Sequence, residues 1–197
     1  MENRLSSESS PYLQQHSEDP VHWQPYDERA LKSAKDRDVP IFLSLGYSSC
    51  HWCHVMQEES FSDEEIADFL NENFVPIKVD REERPDLDTV YQDLSQKVTG
   101  SGGWPLSVWL TPDLKPFYVG TYFPKESVSG RPGFLQVLKR ISSRWEEDRD
   151  EMTARAEKWM AALDGDQDYG ISGEERFPGD EIIIEAADRA LGASDET

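Results

Sequence analysis

A chain of 197 residues is long enough for one ordinary domain with a properly buried core, with or without an extension. Its 40 Asp and Glu against 20 Lys and Arg leave a formal net charge of -20, which repels phosphate backbones and argues against nucleic-acid binding. Six Trp, seven Tyr and eight Phe, with several strand-like apolar runs, separate it from an acidic disordered chain.

The N-terminal MENRLSSESSPYLQQHSEDP is polar and lacks the apolar centre of a secretory signal. No run reaches transmembrane length, so a cytoplasmic protein that does not engage a membrane is expected. Residues 1–25 read as an irregular arm anchored by Tyr12, His22 and Trp23. DERALKSAKD then has the spacing of a short helix, with Ala30, Leu31 and Ala34 on one face. VPIFLSLG, residues 39–46, is a continuous apolar run behind a proline, the pattern of a buried strand. SLGYSSCHWCHVM follows at once, so both cysteines stand where a central strand turns into a helix. SDEE, residues 62–65, has the form of a capping box that starts a fresh helix carrying Ile66, Phe69 and Leu70. The helix after the cysteines is therefore expected to break near Ser60.

FVPIKVD, residues 74–80, predicts a second buried strand. PDLDTVYQDLSQKV places Leu87, Val90, Tyr91, Leu94 and Val98 at helical spacing, and Gly100 stops it. Two strands, about 106–110 and 116–120, flank a Pro-Asp turn and read as a hairpin. From Pro132 to Leu163 one long helical stretch carries Phe134, Leu138, Ile141, Trp145, Met152 and Trp159. The order β-α-β-α-β-β-α, behind an added arm and helix, is that of thioredoxin. The expected fold is α/β and thioredoxin-like, a central mixed sheet flanked by helices.

Composition shifts at Asp164, and residues 164–197 carry eleven acids against two arginines. The expected division is a thioredoxin-like domain over 1–163, then an acidic linker and the start of a truncated second domain over 164–197. DGDQDYGISGEE reads as the linker, and residues 180–191 as a short helix. Across the whole chain Arg outnumbers Lys. A Lys-poor, carboxylate-rich surface suits a halophilic, high-salt cytosol where screening removes self-repulsion, and suits a merely acidic protein equally well.

Cys50 and Cys53 are the only cysteines, and Cys-x-x-Cys-His fits a dithiol redox pair, half a zinc site or a c-type haem attachment. Haem attachment needs export and a further axial ligand, and a position behind a buried strand is wrong for it. Zinc needs four ligands, which His16 or His22 would have to complete. A dithiol needs one exposed thiol of lowered pKa and a second within reach, and a strand-to-helix junction meets both needs. The helix N-terminus would stabilise a Cys50 thiolate, and one turn brings Cys53 beneath it. His51 could add positive charge when protonated, or could simply face solvent. Trp52 reads as a cap over the motif or a surface for substrate. The expected roles are Cys50 as nucleophile and Cys53 as resolving thiol, with no metal and no cofactor, on protein or small-molecule disulfides.

GSGGWP, residues 100–105, is the second element. Pro105 stands just before a strand, where thioredoxin folds carry a cis-proline opposite the dithiol. Its bond to Trp104 would leave the Trp104 backbone, with Gly103 beside it, free to pair with an extended substrate.

These residues make the chain resemble the spermatogenesis-associated protein 20 family, with its bacterial YyaL-type members, over about residues 5–125. The match runs through SPYLQQH, DPVHW, SLGYSSCHWCHVM, ESF, FVPIKVDREERPDLD, GGWPLSVWLTPDLKPF and GTYFP. The resemblance implies a thioredoxin-like N-terminal domain with a disulfide oxidoreductase-like role. It also implies, as partner in a full-length chain, a large C-terminal α/α-barrel domain similar to sugar epimerases and glycosidases. One departure from ordinary thioredoxin is chemical. The buried carboxylate six residues before the first cysteine is replaced here by Ser44, which cannot take a proton from the resolving thiol. Deprotonation of Cys53 is left to water, to His54, or to Asp80, whose alternative role is only to cap the REERPD turn.

Overall fold

Apolar side chains on both faces of one strand set the architecture. In the computed structural model, which describes residues 1–128 and 130–164, β1 (Ile41–Gly46) is buried along its whole length. Successive side chains of a strand point to opposite faces, so Ile41, Leu43 and Leu45 enter one core cluster and Phe42 the other. A strand buried on both faces needs helices on both sides.

β1 pairs in parallel with β2 (Val75–Asp80) and antiparallel with β3 (Leu106–Leu110). β4 (Pro116–Gly120) closes an antiparallel hairpin on β3, which gives the order β2-β1-β3-β4. One face is covered by α1 (Pro11–Gln15), α3 (His51–Met56), α4 (Glu64–Asn73) and α6 (Phe134–Glu147), which share a core with Phe42 and Trp109. α2 (Glu28–Arg37) and α5 (Pro85–Thr99) pack on the other face around Leu43 and Val108. α7 (Arg149–Asp164) serves both clusters, with Met152 in the first and Trp159 in the second. This is the thioredoxin-like α/β fold that the element order predicts.

Four local expectations are corrected. The arm is more regular than expected: Ser10 caps α1 by accepting from Leu13 N, with Pro11 at the first helical position. It also lengthens the sheet, since Gln24 N donates to Pro76 O and Lys78 N to Gln24 O, both at 2.9 Å, shielding the outer edge of β2. The N-cap of α4 is Asp63, whose side chain accepts from Ile66 N, so SDEE is not a capping box on Ser62. Ser62 instead closes a π turn over Gln57–Phe61, which ends the helix of the cysteines. Val90 is 47% exposed and lies outside the buried stripe of α5. The long C-terminal helix is two helices parted at Asp148, where Arg144 pairs with Asp148 and Arg149 with Asp38. The linker and helix expected beyond residue 164 lie outside the described residues.

Candidate functional site

The C-terminal end of β1 delivers the chain into the cysteine motif. Cys50 is the N-cap residue of α3, and its Sγ accepts from Cys53 N at 3.2 Å. The two cysteines are joined as a disulfide, with Cα atoms 5.3 Å apart. Cys50 is only 3% exposed and Cys53 2%, so exposure does not separate them as expected. The backbone N–H on Cys50 Sγ does separate them.

The loop of Pro105 arrives at the same end of the sheet, because Leu45 of β1 is paired with Leu106 of β3. The Trp104–Pro105 peptide bond is cis. Trp104 is held on three sides. Its Nε1 donates to Asp88 at 2.8 Å, the Arg81 guanidinium lies 4.0 Å over its ring, and Tyr47 meets it edge-on. Gln92 grips Gly103 through both amide groups, accepting from Gly103 N at 3.1 Å and donating to Gly103 O at 3.0 Å. Trp52, in the first turn of α3, is 43% exposed, with its ring 4.9 Å from that of Tyr122. His51 is exposed against Trp52, and the half-buried His54 places Nε2 2.8 Å from Ser48 O. The cysteine motif with Trp52 and the Trp104–Pro105 loop thus both lie at one sheet end.

Beneath the disulfide lies a polar cluster of which the sequence showed only part. Ser44 is fully buried and accepts from Lys78 Nζ at 3.1 Å, across the β1–β2 register. Lys78 is itself buried, with its Nζ 4.2 Å from the Phe61 ring centre, 4.5 Å from Trp23 and 5.5 Å from Tyr12. Those ring faces favour the ammonium. Burial outweighs them and lowers the Lys78 pKa to about 7, with Asp19 opposing that shift. Asp80 is tied to the arm by Ser10 Oγ at 2.5 Å and to the following turn by Glu82 N at 2.8 Å. Gly46 closes the cluster. A Cβ there would stand 2.3 Å from Tyr12 Oη and 2.7 Å from Cys53 Sγ.

Asp19 accepts from Trp23 Nε1 at 3.0 Å and Gln57 at 2.8 Å, and lies 2.7 Å from His16 Nδ1. This contact has ion-pair geometry, yet burial, with help from Lys78, lowers the His16 pKa to about 4, so the pair is a neutral imidazole on a carboxylate. The zinc alternative needed His16 or His22 as a ligand. Among the described residues no group of three or more His, Cys, Asp and Glu is placed to hold a metal ion.

His16 carries a prediction. Between pH 6.5 and about 4 the unfolded imidazole binds a proton that the folded one refuses, so stability is full above 6.5 and is lost as pH falls toward 4. The loss is on the order of 3 kcal/mol. Urea unfolding at pH 7 and pH 4.5 should show it, and His16→Gln should flatten that limb.

The family model Thioredox_DsbH, described as "Protein of unknown function, DUF255", matches residues 2–164. The chain belongs to this family. Its relatives include Spermatogenesis-associated protein 20 of Rattus norvegicus, 52% identical over 161 residues, which are 82% of this chain and 20% of that protein. This Thioredox_DsbH chain therefore spans about a fifth of the length of such curated relatives. Among solved structures it is similar to a chain titled "DsbH Oxidoreductase", with TM-score 0.49 and 21% identity over 64% of this chain and 85% of that one. A thioredoxin from Thermus thermophilus gives TM-score 0.47 and 21% identity over 64% and 89%. Family membership and the Cys50–Cys53 pair make this a thiol–disulfide oxidoreductase-like domain. No helix among the described residues is long and apolar enough to cross a membrane.

Proposed function

We propose that this domain exchanges thiols and disulfides with protein substrates, with Cys50 as the attacking thiolate and Cys53 as the resolving one. The observation that carries the assignment is the Cys53 N–H on Cys50 Sγ, a donor already in place for a thiolate at Cys50 and for no other sulfur. The Cys50 thiolate attacks a substrate disulfide and forms a mixed disulfide while one substrate thiolate departs and takes a proton from water. The Cys53 thiolate then attacks Cys50 Sγ, forms the internal disulfide and expels the second substrate thiolate. Two electrons pass from the dithiol to the substrate, and an external thiol must return them.

In this reading Trp104, Gly103 and Pro105 form one wall of the substrate groove and Trp52 the other. The braces from Asp88, Arg81 and Gln92 keep the first wall rigid. His51 supplies positive charge beside Cys50 when protonated. His54 steadies the loop before the motif through Ser48 O. A second reading, a redox-responsive docking module of a longer two-domain protein, is favoured by the burial of both sulfurs and by the much longer relatives.

Reduction of insulin by the dithiothreitol-driven domain decides between them. The expected result is turnover in the wild type and none in Cys50→Ser. Cys53→Ser should accumulate substrate mixed disulfides on Cys50. A reducible Cys50–Cys53 bond with turnover no faster than dithiothreitol alone would leave the docking module as the reading that stands.

A further inference from the structure

Tyr12 is buried, and among the described residues its hydroxyl has no hydrogen-bond partner. Leaving a buried hydroxyl unsatisfied costs about 1–3 kcal/mol, so an acceptor in another state of the molecule is the natural place to look. Tyr12 Oη and Cys53 Sγ lie 2.3 and 2.7 Å from the same point above Gly46 Cα, hence within about 5 Å of each other. The absence of a side chain at Gly46 leaves that gap open.

The polar side chains around the hydroxyl have hydrogen-bond partners of their own. The titratable groups packed around the pair are Lys78 and Asp80 from β2, His16 and Asp19 from the arm, and His54 from α3. Asp80 holds Ser10 and Glu82 N, and Asp19 holds Trp23 and Gln57 and meets His16. Lys78 donates to Ser44, and His54 meets Ser48 O. Burial, and after it the charges of Asp80 and Asp19, raise the phenol pKa above its ordinary value, so the group remains a donor at any working pH.

We propose that the Tyr12 hydroxyl is the hydrogen-bond donor that receives the Cys53 sulfur when the Cys50–Cys53 disulfide opens. A thiolate such as glutathione attacks Cys50 Sγ, the Sγ–Sγ bond breaks, and its electron pair leaves on Cys53. The freed Cys53 Sγ turns toward Tyr12 Oη and accepts its O–H. Protonation of Cys53 by water, when it follows, leaves a thiol that still accepts from the phenol. Tyr12 thereby favours the dithiol form and eases departure of Cys53, as a positioning residue for the chemistry proposed above. The proposal takes Cys53 as the resolving sulfur from that reading, but its test needs no protein substrate.

Tyr12→Phe removes only the hydroxyl. The equilibrium of the pair with glutathione should shift about tenfold toward the disulfide, which corresponds to about 30 mV. Denaturant unfolding supplies the second arm. The variant should be as stable as wild type or more so when oxidised, where the hydroxyl had no partner, and less stable when reduced. A purely structural role would change both redox forms alike. An equilibrium constant within about twofold of wild type, or equal stability changes in both forms, overturns the proposal. Neither outcome bears on insulin turnover by Cys50, which is measured separately.

Discussion

Raising the pH from 7 toward 10 should make this protein more stable, against the usual trend for an acidic chain. The cause is Lys78. Its folded pKa is about 7, whereas an unfolded lysine titrates near 10.4. Between those values the unfolded chain binds a proton that the folded chain does not, so stability rises with pH across that window. Below about 7 both states are protonated and the cost of burying the ammonium is present in full. Each pH unit inside the window is worth up to about 1.4 kcal/mol, so the gain by pH 9.5 is on the order of 3 kcal/mol. Above about 10 the trend must reverse, because unfolded tyrosines ionise there while buried Tyr12 and Tyr91 resist ionisation. Lys78→Met keeps an unbranched chain between the Trp23, Phe61 and Tyr12 rings, where a thioether packs well. The variant should be more stable than wild type at pH 7 by about 1–3 kcal/mol and flat between pH 7 and 9.5. Guanidinium unfolding at four pH values measures both. An alkaline rise that survives in Lys78→Met would mean that another group owns it.

The strands were legible because each is an apolar run closed by proline or turn residues, and the hairpin at 106–110 and 116–120 stands where its Pro-Asp turn places it. The disulfide loop and the Trp104–Pro105 loop were legible as motifs, and strand pairing explains why they meet. Caps were harder. Ser62 and Asp63 are adjacent and equally able to cap, and the choice of Asp63 follows from the π turn before it and from its ion pair with Lys125. The break at Asp148 has no Gly or Pro to announce it. It is held by Arg149 and Trp145 reaching Asp38, more than a hundred residues earlier. Ser10-Pro11 was a readable helix start that the arm's polar composition obscured. The polar cluster under the cysteines was half visible. Lys78 and Asp80 alternate with Val75, Ile77 and Val79, which marks one face of β2 as polar. Nothing local says that Tyr12, Asp19 and the cysteine turn would converge on that face, since those meetings span the chain.

Gly46→Ala should be the most damaging single methyl that can be added near the site. Gly46 ends β1, its carbonyl accepts from Arg81 N at 3.0 Å, and it is paired with Asp80, so the backbone there is held. The new methyl would fall 2.3 Å from Tyr12 Oη, 2.7 Å from Cys53 Sγ and 2.8 Å from Tyr12 Cζ, all well inside van der Waals contact. Neither neighbour can yield cheaply. Tyr12 is enclosed by the arm, and Cys53 is fixed by the disulfide and by α3. Overpacking of this kind costs about 1–3 kcal/mol, and the upper end is expected in the oxidised protein. Reduction releases Cys53 Sγ, but the methyl then stands in the gap across which that sulfur is proposed to meet Tyr12, so dithiothreitol should not relieve the penalty. Tyr12→Phe removes the nearest clashing atom, and in the Gly46→Ala background it should restore about 1 kcal/mol beyond its effect alone. Thermal and urea unfolding of the four proteins of this cycle, each oxidised and reduced, provide the numbers. A Gly46→Ala cost below about 0.5 kcal/mol, with strict additivity in the cycle, would show that Tyr12 and Cys53 do not crowd this glycine. The same four proteins separate the steric effect of the Tyr12 hydroxyl, which appears only beside the Gly46→Ala methyl, from the hydrogen bond assigned to it, which appears only when the disulfide is open.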